Sequence, residues 1–456
     1  MPSDRDEVNR EIERRRAQRQ KREAQRLKAE KARRALMFRL ALVGVVLLLV
    51  TGLILVFALG DRPEQPTVST NPETPGNSEA LVSTTAPQTE PQPEPTTAPQ
   101  PTEQPETTTI HIAAAGDLNV TDQMIQNAVT NSGYDFTNAF LDVAPVMGQA
   151  DLTLLNYEGT FSGTEYGTTT GAAPGQLAQA MAAIGVDAVQ TANSASIRSG
   201  VLGLQSTIQA LQNAGIQPIG TFADSGSFRS SGGFTMVEVK GLRIALVGFT
   251  KGMDNLGLPE GSEDCVNLLY TDYTSDYSEI NSDGIRKVLR NVAEQQPDLT
   301  IAMVHWGSEY NEAIHSTQVR IKNLMLSNGV DIILGTHPHL LKTIEFSRED
   351  NTLVAYSLGD FYGDAEQAGS NYSIILDIQV TRDNVTGNTT IDSFSYTPIY
   401  ILKPEDSAAG GQRVVRIQEA MARYEGGFLG RVTESVYSNM EYVLTRIDER
   451  IAEEVS

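Results

Sequence analysis

Cysteine is almost absent from this 456-residue chain: Cys265 stands alone. No disulfide can form within the chain, and no cysteine cluster can hold a metal. Any metal site must therefore be built from His, Asp, Glu and Asn. Basic residues are also scarce, 35 against 57 acidic, for a formal net charge of -22. Phosphate backbones are bound through basic surface, so the balance argues against nucleic acid as a partner. Histidine occurs only five times, yet two of the five fall within "GTHPHLLKTIE", residues 335–345.

What is present is unevenly spread. Residues 1–39 carry 14 basic and 7 acidic side chains, which leaves about -29 for the remainder. Residues 40–60, "LALVGVVLLLVTGLILVFALG", have no charge and match the length of about 20 residues that a helix needs to cross hydrocarbon. A cleaved signal peptide is the rival reading, but no small-x-small cleavage site follows the apolar run. The basic flank precedes the span, so the expected topology is single-pass, with the N-terminus cytoplasmic and the rest outside the cell membrane. "REIERRRAQRQKREAQRLKAEKARRAL" is rich in helix formers, and its charges suit anionic lipid beside the span. Residues 61–108 are rich in Pro, Thr, Glu and Gln and have little to bury, so a disordered stalk is expected. At about 3.1 Å per residue it would reach on the order of 150 Å, which suits a thick Gram-positive wall.

From residue 109 onward, apolar strand-like runs alternate with helical ones, the pattern of a layered α/β domain. The expected domain covers 109–400, with a helical C-terminal tail at 401–456. Polar residues collect just past the strands, where ligands bind in open α/β sheets. Asp117 follows "TIHIAAAG", Asn156 and Glu158 close "DLTLLNYEG", and Asn193 follows "VDAVQTA". His305 follows "TIAMV", His337 and His339 follow "DIILGT", and Asp360 follows "VAYSLG". A single one of these reads as a cap or turn residue; several in register point to a site. In an extended segment, side chains at i and i+2 share a face, and proline holds the residue before it extended. His337-Pro338-His339 is therefore expected to be a stiff fork with both imidazoles aimed one way. Mixed imidazole and carboxylate ligands suit Zn, Mn or Fe. His111 opens a strand and His315 lies in a loop, so both read as structural.

At these positions the folded part resembles the CapA family, associated with poly-γ-glutamate capsule synthesis, whose domain looks like a calcineurin-like metallophosphoesterase. "AAAGDLNV", "DLTLLNYEGTF", "TIAMVHWGSEY", "VDIILGTHPHLL" and "LVAYSLGDF" resemble the family's motifs in order, the last with Asp360 where the family has Asn. The resemblance implies a four-layer α/β sandwich. It implies divalent-metal ligands at Asp117, Glu158, His305, His337 and His339, with Asn156, Asn193 and Asp360 as accessory residues and one or two metal ions. Two close metals would lower the pKa of a bridging water and clamp an oxyanion.

One stretch departs from the family. Its A-N-N-H-x-x-D-x-G motif is here "ANSASIRSG", residues 192–200, with Ser194 for Asn, Ala195 for His and Arg198 for Asp. By resemblance, the missing Asn would help hold a second metal and the missing His would assist proton transfer. Arg198 would bring positive charge towards the site. Asn193 offers an amide that could take the vacant place. Three readings follow. One is a capsule or cell-envelope polymer protein that meets other capsule-synthesis membrane proteins and an extracellular polymer. The second is a metal-dependent hydrolase of a phosphoester or amide, and the third is a non-catalytic polymer-binding surface module.

Overall fold

The structure, a computed structural model, describes residues 106–407 and 410–452. The expected basic segment at 1–39, the membrane helix at 40–60 and the expected stalk as far as residue 105 lie outside the described residues; Thr107 and Thr108, read as the end of the stalk, already belong to the first strand. Among the described residues, no helix is long and apolar enough to cross a membrane.

The first sheet opens with β1 (Thr107–Asn119). A small hairpin, β2 (Val129–Thr130) and β3 (Gly133–Tyr134), stands apart from it. The parallel strands β4 (Leu152–Glu158), β5 (Ala188–Gln190) and β6 (Gln217–Ile219) extend the sheet from β1. The second sheet is formed by β7 (Thr235–Val239), β8 (Leu242–Thr250), β9 (Leu299–His305), β10 (Ile332–Thr336), β11 (Ile344–Ser347) and β12 (Thr352–Ala355), in the order β11-β12-β10-β9-β8-β7. The chain then returns to the first sheet. β13 (Asp360–Tyr362) pairs with β1, and β14 (Tyr372–Asp383), β15 (Thr389–Leu402) and β16 (Arg413–Arg416) complete the order β16-β15-β14-β1-β4-β5-β6. The β7–β8 hairpin turns where the sequence expects it. Lys240 and Gly241 both have positive φ, 48° and 83°, which matches the right-handed twist of paired strands.

Alternation along the strands builds the layers. In β1, Ile110, Ile112 and Ala114 face the space between the sheets, where they meet Ile244, Leu246, Ile301, Met303, Ile332 and Leu334 of the second sheet. Ala113 and Ala115 face the opposite way. They pack under α1 (Asp122–Ala128), α2 (Thr137–Phe140), α3 (Ala144–Met147) and α4 (Gln176–Ala183), with Leu211 of α5 (Gly200–Asn213) joining that layer. On the far face of the second sheet, Val247, Ala302, Val304 and Ile333 pack under α6 (Ser225–Ser231), α7 (Ser282–Glu294) and α8 (Ser316–Ser327). The order is helix, sheet, sheet, helix, the four-layer α/β sandwich expected. Each fully buried aliphatic side chain in these layers contributes about 1.5–3 kcal/mol by leaving water.

The boundary expected at 400 falls inside β15, and residues 413–416 form the edge strand of the first sheet. The sheet thus continues into the segment read as a tail. Helices α9 (Ile417–Glu425) and α10 (Glu434–Ala452) follow. Ile417, Val436, Met440, Val443 and Ile447 join the core between the sheets.

Candidate metal centre

Strand register assembles the site. β1 and β13 pair with Asp117 opposite Asp360. β1 and β4 pair with Asp117 opposite Asn156 and Asn119 opposite Glu158. In the second sheet, His305 ends β9 level with Thr336 and Thr250, the last residues of β10 and β8. His337 and His339 follow β10 at once. Gly116 permits this arrangement: a Cβ there would collide with the Gly359 carbonyl, the group that accepts from the Asp117 N–H at 2.9 Å. The ends of the two sheets meet where the His337 backbone N–H donates to Asp117 Oδ2 at 3.0 Å.

All five expected ligands and all three accessory residues come together, and all are buried. Three triads each place ligand atoms within 4.8 Å of one another: Asp117, His339 and Asp360; Glu158, His337 and His339; and Asp117, Glu158 and His305. His339 Nδ1 lies 2.8 Å from Asp360 Oδ1 and 3.4 Å from Asp117 Oδ2. His305 Nδ1 lies 3.2 Å from Glu158 Oε1. Asn156 donates from Nδ2 to Asp117 Oδ1 at 2.6 Å and to Glu158 Oε1 at 3.3 Å, so one amide orients two carboxylates. Asn193 stands one step behind. Its Nδ2 donates to Asn156 Oδ1 at 3.0 Å and to the Tyr157 carbonyl at 2.7 Å, while its Oδ1 accepts from the Ala195 N–H. Both of its amide protons and one lone pair of its oxygen are thus directed at protein groups, so in this structure Asn193 supports Asn156.

The His-Pro-His segment is not the extended fork expected. His337 has φ 90° and His339 φ 58°, both in the left-handed region that non-glycine residues seldom adopt. Proline's local preference is overridden by tertiary contacts: the His337 N–H is held by Asp117, and the Pro338 carbonyl accepts from the Tyr310 N–H at 2.9 Å. Backbone strain of this kind costs on the order of 1–3 kcal/mol per residue and gathers at functional sites. The rings of His337 and His339 still converge, with centroids 6.1 Å apart, and Tyr310 stacks on His339 at 5.2 Å.

Burial governs the charges. It raises the Glu158 carboxyl to about 8, helped by the neighbouring Asp117 carboxylate, and raises Asp360 to about 6. Asp117 is raised by the same cause. Burial holds His305 and His337 well below the usual imidazole range, so both stay neutral. Burial also opposes a charge on His339, but Asp360, Glu158 and Asp117 outweigh it and raise its pKa. Carboxylates crowded away from water need a cation. The donor set here, carboxylate oxygens with imidazole nitrogens and no sulfur, fits a divalent transition ion. Asp117, His339 and Asp360 would hold it, with Glu158 adjoining.

The cluster opens into a cleft of about 260 Å³ lined by Ser194, Lys251, Asp254, Tyr277, His305, Glu309 and His337, among others. Ser194 does not leave a gap. Its Oγ donates to Glu158 Oε2 at 3.0 Å, and its N–H donates to His305 Nε2 at 3.3 Å. Arg198 departs from expectation: it pairs with Asp254 at 2.9 Å at the rim. The positive charge inside the cleft comes instead from Lys251. Its Nζ donates to the Gly307 carbonyl at 3.0 Å and lies 3.2 Å from His337 Nε2 and 4.7 Å from the Tyr277 ring centre. Lys251 follows β8, so the strand-exit rule that found the other residues applies to "IALVGFTK" as well. His111 bonds Asp377 at 3.2 Å on an exposed strand face, and the His315 N–H is capped by Gln318 at 3.0 Å; neither touches the cluster.

A four-layer α/β domain with imidazoles and carboxylates gathered at its strand ends is the class of molecule defined so far. The family model for "Bacterial capsule synthesis protein PGA_cap" matches residues 111–365, more than half of the chain. The chain belongs to that family. It is 25% identical over 248 residues to the capsule biosynthesis protein CapA of Bacillus anthracis, covering 53% of this chain and 55% of that protein. It is 32% identical over 114 residues to the PGA biosynthesis protein CapA of Bacillus subtilis, covering 24% and 29%. The chain thus spans about half or less of these relatives. A calcineurin-like phosphoesterase structure from Bacillus subtilis aligns over 64% of this chain and 90% of its own, with TM-score 0.36 and 12% identity, too distant to carry an argument.

Proposed function

We propose that the chain is a membrane-anchored, extracytoplasmic protein of capsule-type polymer assembly or attachment, working through a divalent-metal centre at the mouth of its cleft. The observation that carries the metal is the buried set Asp117, Glu158, Asp360, His305, His337 and His339, gathered from both sheets at one cleft. Family membership supports the polymer, poly-γ-glutamate or a related anionic chain. The uncharged run at 40–60 and its basic flank support the anchor and contact with anionic lipid. The Pro-, Thr- and Glu-rich composition of the segment read as a stalk supports reach, and other capsule-synthesis membrane proteins are the fitting partners.

A bound ion would supply Lewis acidity and a more acidic water at the cleft. The chain supplies the rest. Asn156 fixes two carboxylates, Tyr310 covers His339, and Ser194 and Lys251 line the approach. A second reading, polymer binding without hydrolysis, is favoured by one position: Ala195 stands buried where the family resemblance implies a proton-transferring histidine.

Replacing the chromosomal copy in the host bacterium with Asp117→Asn and His339→Ala tests the proposal. Surface-attached polymer should fall while the protein persists in the membrane fraction after alkaline washing. Unchanged surface polymer would overturn the proposal, and release of the protein by the wash would overturn the anchor.

A further inference from the structure

Building on the metal centre proposed above, the geometry points to a one-ion site: Lys251 takes His337 out of the ligand set and itself supplies the second positive charge of the cleft. A lysine ammonium carries only N–H donors, so the ring nitrogen it meets at 3.2 Å, His337 Nε2, must accept. In a neutral imidazole the proton then sits on Nδ1. That nitrogen is buried and without a hydrogen-bond partner among the described residues, and with the proton on it no lone pair is left for a metal. Metal-binding histidines show the opposite pattern, donating their second ring nitrogen to a carbonyl or carboxylate. Lys251 is held in this place by a second hydrogen bond, to the Gly307 carbonyl at 3.0 Å.

The other donors on this side are also occupied or missing. Ser194 spends its hydroxyl proton on Glu158, and its N–H covers His305 Nε2. Any ion bound by His337 would stand across one ring from the ammonium and be repelled by it. Among the described residues, the Asp117, His339 and Asp360 triad has no such neighbour among its hydrogen-bond and ion-pair partners.

The test uses the full chain purified in detergent, with Mn²⁺ as the metal and inorganic phosphate as the anionic probe. Wild type should bind one Mn²⁺ per chain and give the electron paramagnetic resonance of an isolated ion. The double variant Ser194→Asn, Lys251→Met should bind two and show a coupled pair. Phosphate affinity should fall at least tenfold in Lys251→Met. Two ions in wild type, or one in the double variant, would overturn the inference while leaving the metal centre intact. Phosphate binding unaffected by Lys251→Met would overturn the charge role. No ion in wild type would overturn the metal centre itself. Nitrogen NMR of wild type needs no variant: His337 should carry its proton on Nδ1, and a proton on Nε2 would overturn the tautomer argument.

Discussion

The two halves of the cluster are built from similar parts and are tuned differently. On one side, Asp117, Asp360 and His339 face one another, with carboxylates outnumbering the imidazole. Among the described residues, donors that orient them, Asn156, Asn119 and the His337 N–H, stand behind. On the other side, His305 and His337 are neutral, Ser194 replaces an amide, and Lys251 sits against the ring. The first half calls for a cation. The second already holds one. A fold can keep its ligand positions while a single nearby side chain changes what they bind.

The comparison is broken most sharply from the first side. His339→Ala removes the imidazole shared by two triads and should lower divalent-metal affinity more than roughly a hundredfold, read by calorimetric titration. Asn156→Ala leaves both carboxylates without their shared donor and should cost roughly 10–100-fold in metal affinity, with the ligands themselves untouched. The pH dependence is next. Glu158 is easier to protonate in the fold, at about 8, than in the unfolded chain near 4.5. Its contribution to metal-free stability is therefore full below about 4.5 and is lost as pH rises towards about 8. Because the ion must displace that proton, metal affinity should rise between pH 6 and 8 by up to roughly tenfold per unit. The melting temperature of the metal-free protein should fall over the same window; a flat profile would remove Glu158 from the site. The smallest effect belongs to the second half. Ser194→Ala loses one hydrogen bond to Glu158 and should shift metal affinity only severalfold, about 1 kcal/mol.

Much of this was legible in the sequence. The strand exits at Asp117, Glu158, His305, His337, His339 and Asp360 could be read because each follows a short apolar run, and register then brings them together. Four features were less accessible. The left-handed backbone at His337 and His339 is imposed by Asp117, 220 residues away in sequence, against the extended geometry that proline favours. Arg198 looked like an intruder because its partner, Asp254, lies 56 residues on in a loop with no periodic signal. Lys251 obeyed the strand-exit rule but carried a positive charge, and so did not look like part of a metal site. The segment from 401 read as a tail because its helices are clear and the short edge strand at 413–416 is not.

Metal content of the purified full chain, by elemental analysis at neutral pH, tests the central claim most directly. One transition-metal ion per chain in wild type, lost in His339→Ala while the melting transition of the variant remains cooperative, is the predicted result. A wild-type protein that is folded and free of metal after exposure to Mn²⁺, Zn²⁺ and Fe²⁺ would contradict it.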